Sequence, residues 1–389
     1  MLGIWRCIGF AALAPVSIAL SQMCAGLTAL GVVLSFSSGR VRSRFTGLEA
    51  PLAAFLLAEV LATIHAVNRR WSVNALEDDW PLLLVPLFGL ALRDSRDVRL
   101  AFLVLLGSSS IVSVLAIWQF VTGWDFVRHR ALESIGHDFI ATGFFGHHLT
   151  FGGVVLISST LALGLLAAAP TRRWAGTTLL MMAGLVASFA RTAWLGAAAA
   201  VLTAAALSRG AMRWLWMALL PAGALAALAL SPVRERLTAF LGFGDDSRVR
   251  LWATALRIWK AHPVLGAGPG SFRLLFEQYK VPGVYKSTVH PHNDFLKVLL
   301  NAGAVGLVAL ASIWILYFRG VIQARRHAPA GDPRRPILQA GIVVVTAFLI
   351  AATGQCFLSD ETVTDLFWFV VAGVLVSAGD TADQGRAGA

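Results

Sequence analysis

The run His290-Pro-His-Asn-Asp-Phe-Leu-Lys297, followed by Gly303 and Gly306, holds the densest chemistry in the chain. It stands where a polar, arginine-bearing segment of about 232–292 meets a long apolar stretch. Ionisable groups at the mouth of a membrane helix are costly to place, so they mark a candidate site. Asn293 and Asp294 are good helix caps, which puts His292 just ahead of a helix N-terminus. Backbone N–H groups and the helix dipole favour an anion there and keep an imidazole neutral. A neutral His292 can take a proton from an alcohol, with His290 as a neighbour or second contact. The blander alternative is that Pro291, Asn293 and Asp294 merely start a helix and His292 is an interfacial residue.

Two arginine groups add an anion-binding capacity. Arg191 interrupts Leu185-Val-Ala-Ser-Phe-Ala190 and Ala193-Trp-Leu-Gly-Ala197, two apolar spans with almost no loop between them. A charge at that depth needs an anionic partner or a wet cavity, unless it snorkels to headgroups. Arg248 and Arg250 lie in Ser247-Arg-Val-Arg-Leu-Trp252. Two residues apart, they cannot share one helical side, so at most one faces a site. Other features carry less. Gly266-Ala-Gly-Pro-Gly270 has neither the preceding strand nor the following Lys-Ser/Thr of a phosphate loop. Asp245-Asp246 reads as solvated loop charge. His147 and His148 lack the spacing of a zinc ligand set, so no metal is expected. Glu59, inside the third span, reads as a proton-relay group or, the preferred alternative, a satisfied interhelical partner. Several arginines, one candidate base and few carboxylates suit transfer from a phosphate-activated, lipid-linked donor to a hydroxyl.

The elements that must position these groups are apolar helices. The chain has 389 residues, 57% hydrophobic and 14% charged, with mean hydropathy +0.71. A soluble domain is nearer about 45–50% apolar and about 25% charged. The expected fold is an all-α polytopic membrane protein of about twelve spans, near 4–20, 22–37, 47–66, 80–93, 99–120, 149–168, 174–190, 193–208, 212–231, 294–317, 337–355 and 364–379. The parts are 1–231 with nine spans, an enlarged loop 232–292, 293–379 with three more, and a small polar tail 380–389 without order. Leu251, Trp252, Ala255, Leu256 and Trp259 predict an amphipathic helix at the membrane surface within that loop.

The net charge is +11, with 28 Arg against 4 Lys. Short loops holding Arg40, Arg42 and Arg44; Arg93, Arg96 and Arg99; Arg172 and Arg173; Arg209 and Arg213; and Arg319, Arg325, Arg326, Arg334 and Arg335 put both termini in the cytoplasm. With no basic soluble domain, nucleic acid is not an expected partner, whereas membrane lipids are. Cys7, Cys24 and Cys356 offer neither a metal spacing nor a disulfide framework.

At this point the chain resembles a known family. His292-Asn293, nine residues, Gly303, two residues and Gly306 match the His-[Asn/Ser/Gln]-x9-Gly-x2-[Gly/Thr/Tyr] pattern of bacterial O-antigen ligases. Ser247-Arg-Val-Arg-Leu-Trp with His262-Pro-Val-Leu-Gly-Ala-Gly-Pro-Gly-Ser-Phe272, Ser188-Phe-Ala-Arg191-Thr-Ala-Trp, and Gly143-Phe-Phe-Gly-His-His-Leu-Thr-Phe-Gly-Gly153 resemble the other signatures of the ligase and polymerase superfamily. The resemblance implies a GT-C-like fold whose enlarged periplasmic loop lies between the ninth and tenth helices. It implies a bacterial inner-membrane enzyme with its site facing the periplasm. That enzyme moves a glycan from undecaprenyl pyrophosphate to a hydroxyl, with inversion and without metal or other cofactor. In ligases the acceptor is the lipid A–core oligosaccharide. His292 would be the catalytic histidine, and Arg191 and Arg248 the pyrophosphate arginines. Arg250, His290, Asn293, His147 and His148 would be further substrate contacts. A polymerase, a protein O-oligosaccharyltransferase and, more remotely, a polysaccharide transporter are the competing expectations. Transporters often show two related halves, which this chain lacks.

Overall fold

A chain in lipid must satisfy its own N–H and C=O groups, so the apolar stretches have little choice but to be helical. The computed structural model of the protein describes residues 2–37, 46–135, 138–229, 247–285 and 288–386. Arg40, Arg42, Arg44, His137, Asp245 and Asp246 lie outside the described residues, as does all of 232–246.

The first apolar region is two helices, α1 (Leu2–Leu13) and α2 (Ile18–Ser37). Then come α3 (Glu49–Ile64) and α4 (Arg69–Ala75), with a 3₁₀ turn (Leu76–Leu83) leading into α5 (Leu84–Ala91). Helices α6 (Ser95–Thr122), α7 (His148–Ala168), α8 (Arg172–Ala187), α9 (Arg191–Leu207) and α10 (Ala211–Ala229) follow. The long loop contains α11 (Ser247–Ala261) and α12 (Ser271–Tyr279). The chain ends with α13 (Asp294–His327), α14 (Arg335–Ala352) and α15 (Glu361–Arg386). All twelve expected stretches carry helix. Six helices, α2, α6, α7, α13, α14 and α15, are long and apolar enough to cross a membrane by length and composition. The chain is therefore a mostly helical, multi-pass membrane protein.

Burial orders these helices. The apolar window of α15 is 89% buried and that of α2 only 17%, so α15 is the axis of the bundle and α2 its rim. Aromatic stacking fills the centre: Phe348 lies on Phe367 with ring centroids 3.7 Å apart, and Trp314 on Trp368 at 5.3 Å.

The structure corrects the expected picture in four places. The chain is not wholly α: between α6 and α7, β1 (Trp124–Asp125) pairs with β2 (Arg130–Ala131), and β3 (Ser134–Ile135) with β4 (Asp138–Phe139), both antiparallel. The tail is not without order at its start, because α15 runs on to Arg386. The amphipathic helix exists as α11, but its buried face is Leu251, Thr254, Ala255 and Ile258. That face packs on Phe272, Leu275 and Phe276 of α12 and on Leu300, a small second core, so it is spent on protein rather than on lipid. Finally, α13 is broken.

The break is at Gly303, whose φ 63 and ψ −158 belong to no helix. Around it, 263–268 takes up the freed backbone groups. Ala304 and Val305 donate to the carbonyls of Pro263 and Val264 at 3.0 and 3.2 Å. The carbonyls of Leu300 and Asn301 accept from Ala267 and Gly268 at 2.8 and 3.0 Å. A Cβ on Gly303 would lie 2.2 Å from the Val264 carbonyl oxygen, and one on Gly266 2.4 Å from that of Asn301. The glycine-rich run thus grips backbone. This also explains why Gly303 belongs to the His-Asn…Gly spacing: it lets the His292 end of α13 turn away from the rest of the helix.

Candidate active site

His292 is held by a turn more than sixty residues away in sequence. The side chain of Asn293 caps α13, accepting from the Leu296 N–H at 3.0 Å, and donates to the Thr353 carbonyl at 2.9 Å. The Asp294 carboxylate, buried in the bundle, accepts from the Phe357 and Leu358 N–H groups at 3.0 and 3.1 Å. His292 donates from Nδ1 to Gln355 Oε1 at 2.9 Å. The Cys356 thiol lies against the backbone N–H of His292 and Asn293. The connection 353–359 between α14 and α15 is therefore a cradle for 292–294.

The cradled backbone is unusual. His292 has φ 51, in the left-handed region. That conformation costs a non-glycine residue about 1–3 kcal/mol and persists only where surroundings over-determine it. Among the described residues the other non-glycines with positive φ are His129 and Phe189. Phe189 falls in the Arg191 motif and His129 in the hairpin that grips the His147 loop. Strained backbone thus gathers where the sequence motifs do.

The same cradle collects the arginines. A Cβ on Gly354 would lie 2.5 Å from Thr192 Cγ2 and 3.6 Å from Arg248 Nη1. Arg191, half-buried at the first turn of α9, precedes Thr192. The tight turn before it is wired to the third motif: His148 donates from Nδ1 to the Ser188 carbonyl at 2.9 Å, and Ala141 to that of Ala187 at 3.0 Å. A Cβ on Gly152 would meet the Ala190 Cβ at 2.5 Å. His147 is exposed and caps α7, with its Nδ1 accepting from Leu149 at 3.2 Å. The structure so brings His292, Asn293 and Arg248 to one turn, against which Thr192, the neighbour of Arg191, also packs, while His148, with His147 beside it, holds the turn that precedes Arg191.

Two of the expected substrate contacts also make bonds within the protein. Arg250 donates to the Val284 carbonyl at 3.2 Å and packs its guanidinium where a side chain on Gly283 would be, which pins the loop after α12. His290 Nδ1 accepts from the His292 N–H at 3.3 Å, with ring centroids 4.2 Å apart. Burial first, and then the positive charge of His292, Lys297 and Arg248, push its pKa down to about 3. His290 is thus a neutral spacer under the candidate base.

Sequence reasoning missed several participants. Gln355 and Gly354 fall at the end of the expected span 337–355, where nothing in the sequence marks them. Arg128 and Arg130 donate to the Phe144 and Gly146 carbonyls at 2.8 and 3.0 Å, anchored by the buried Asp125, and so clamp the loop that ends in His147 and His148. Lys297 pairs with Asp78 at 2.7 Å and with the Ser359 hydroxyl, tying α13 to the 3₁₀ turn and to the cradle. Below it, Glu59, Asp78, Asp79, Asp294 and Lys297 line a cavity of about 30 Å³, room for a water or two. Glu59 is not the satisfied partner expected, for its buried Oε2 has no hydrogen-bond partner among the described residues.

One imidazole, an arginine and a capped helix N-terminus at one turn of a polytopic helical bundle form a site suited to an anionic group and to proton transfer. Residues 176–311 match the family model described as O-antigen ligase, a match that supports the O-antigen ligase and polymerase superfamily. The match takes in Arg191, Arg248, Arg250, His290, His292, Asn293, Gly303 and Gly306, while His147, His148 and the cradle lie outside it. No curated protein matches the chain.

Proposed function

We propose that this protein is an O-antigen ligase of the GT-C type, transferring a glycan from undecaprenyl pyrophosphate to a hydroxyl of the lipid A–core on the periplasmic face of the inner membrane. The observation that carries the reading is the convergence of His292, Arg248 and the Arg191 turn on 353–355, although the three come from distant segments. Arg191 and Arg248 hold the pyrophosphate and stabilise the charge that grows on it as the glycosidic bond breaks. The buried Thr192 hydroxyl, without a hydrogen-bond partner among the described residues, is a further donor for an oxygen-rich ligand. His292 takes the acceptor proton. Attack from the face opposite the pyrophosphate inverts the anomeric centre, and the arginines do the electrostatic work that a metal would otherwise do.

A reconstituted assay tests this. Purified protein receives undecaprenyl-pyrophosphate glycan with and without lipid A–core, in excess EDTA. Glycan-capped lipid A–core formed only when both substrates are present is the expected result. Longer chains from donor alone make the protein a polymerase instead. A strict divalent-metal requirement contradicts the metal-free mechanism.

A further inference from the structure

A cavity apart from the one below Lys297 lies at the end of the bundle opposite the cradle. It sits among the start of α6, the end of α7 and the starts of α8 and α14, and encloses about 110 Å³. The cradle follows the far end of α14, roughly 24 Å away by helical rise. The floor of the cavity is Phe102, Leu165 and Ile337, all buried. Ala169 closes α7 there, and its small side chain leaves the space open. The rim is the half-buried Trp174 and the exposed Arg99. The volume has room for water, but the floor offers no hydrogen-bond partner, so an apolar occupant suits it better.

The rim is cationic. The Arg173 guanidinium lies over the Trp174 ring, 5.6 Å from its centroid. A guanidinium stacked in this way keeps its in-plane N–H donors for an anion. Neither Arg99 nor Arg173 pairs with a carboxylate among the described residues. The aspartates on the surrounding elements have partners of their own. Asp94 caps α6, Asp97 accepts from the Arg93 N–H at 3.1 Å, Asp380 accepts from the Ser95 N–H at 2.9 Å, and Asp332 pairs with Arg334 at 2.6 Å. The N-termini of α6, α8 and α14 meet at this end and add positive potential. A tryptophan at such a rim suits the boundary between hydrocarbon and headgroups.

We propose that this cavity binds an anionic phospholipid: an acyl chain enters the apolar floor, and the phosphodiester is held at the rim by Arg99 and Arg173. A phospholipid is the bilayer component that joins an apolar chain to a phosphate, and a basic pocket between membrane helices recognises that combination. A free phosphate would satisfy the rim and leave the floor empty. A zwitterionic lipid would fill the floor but bring its own ammonium toward the arginines. The site shares no residue with the cradle, so it stands apart from the glycosyl-transfer reading.

Native mass spectrometry of the full-length protein in detergent tests the site, with phosphatidylglycerol and phosphatidylethanolamine of identical acyl chains as probes. The parent should retain phosphatidylglycerol at about ten-fold lower lipid concentration than phosphatidylethanolamine. Arg99→Gln combined with Arg173→Gln should abolish that preference; both side chains are exposed, so the variant keeps its fold. Arg257→Gln combined with Lys260→Gln removes the same charge from exposed positions of α11 and should leave the preference intact. Ala169→Trp fills the cavity and should weaken retention of both lipids. Equal retention of the two lipids by the parent overturns the proposal. So does a preference that survives in the Arg99 and Arg173 variant, or one that is lost equally in the α11 variant. Unchanged retention in Ala169→Trp means that no chain enters the floor and overturns it as well. Displacement of the lipid by millimolar glycerol phosphate would make the rim a site for soluble phosphate instead.

Discussion

At the scale of single residues, roles divide by what each side chain touches. His292→Ala should abolish transfer, a loss of about 10²–10⁴-fold for a removed proton acceptor, while the protein still inserts and binds donor lipid. Arg191→Ala should weaken donor binding as well, since the guanidinium is lost from the pyrophosphate site. Donor binding to immobilised protein, measured beside turnover, separates the two; full activity in both variants removes the site assignment. His290 makes a different prediction. Its pKa is pushed down to about 3 by burial and neighbouring positive charge. The unfolded chain takes up a proton on this residue below about pH 6.5, the ordinary histidine value, and the folded chain does not. Its contribution thus destabilises the fold progressively as pH falls from that value toward 3. His290→Asn keeps an acceptor for the His292 N–H and should make thermal stability fall less steeply on the acid side. An unchanged slope would show that His290 is not held neutral. The sequence made His292, Asn293 and Asp294 legible because cap chemistry is local. Gln355 was not legible, because a contact across 63 residues leaves no mark in spacing.

At the scale of elements, the decisive object is the interrupted α13. A run from Asp294 to His327 with an apolar face reads as one unbroken helix, and a lone glycine within it is an ordinary, mildly costly residue. Only the structure reveals that Gly303 leaves helical space and that 263–268 takes over its hydrogen bonds. The four short strands were hidden for a similar reason: two-residue pairings are too brief to impose an alternating pattern. Gly303→Ala should therefore do more than lower helix entropy. It needs a backbone region open mainly to glycine, at about 1–3 kcal/mol, and places a methyl 2.2 Å from the Val264 carbonyl oxygen. The expected result is a lower melting temperature in detergent together with lost transfer, because the His292 turn rides on the first half of α13. Gly107→Ala, in α6 with open space around it, is the control and should leave both unchanged. A Gly303→Ala protein as stable and active as the parent would mean that the break is dispensable.

At the scale of the whole molecule, the twelve helical stretches follow from composition, since hydropathy reports burial in lipid or bundle without regard to tertiary detail. Which stretches cross is a harder matter, for six helices are long enough by themselves and the shorter ones depend on packing. Orientation follows from charge. Arg325 hydrogen-bonds Gln339 and the Leu207 carbonyl, and Arg334 pairs with Asp332 at 2.6 Å, which gathers the basic loops at the ends of α9, α13 and α14. The cradle, α11, α12 and the hairpins gather at the other ends of the same helices. If the basic end is cytoplasmic, as the arginine bias requires, the His292 site faces outward, where no nucleotide sugar is supplied and a lipid-linked donor is the available choice. The test uses a background in which Cys7, Cys24 and Cys356 are replaced. Val284→Cys, at a residue 80% exposed beside the site, should react in intact cells with a maleimide that does not cross the inner membrane. Ala330→Cys, exposed between α13 and α14, should react only after that membrane is opened. The reverse pattern would put the site in the cytoplasm, where nucleotide-activated sugars become candidate donors, and the proposal of a polyprenyl-pyrophosphate donor would lose its topological support.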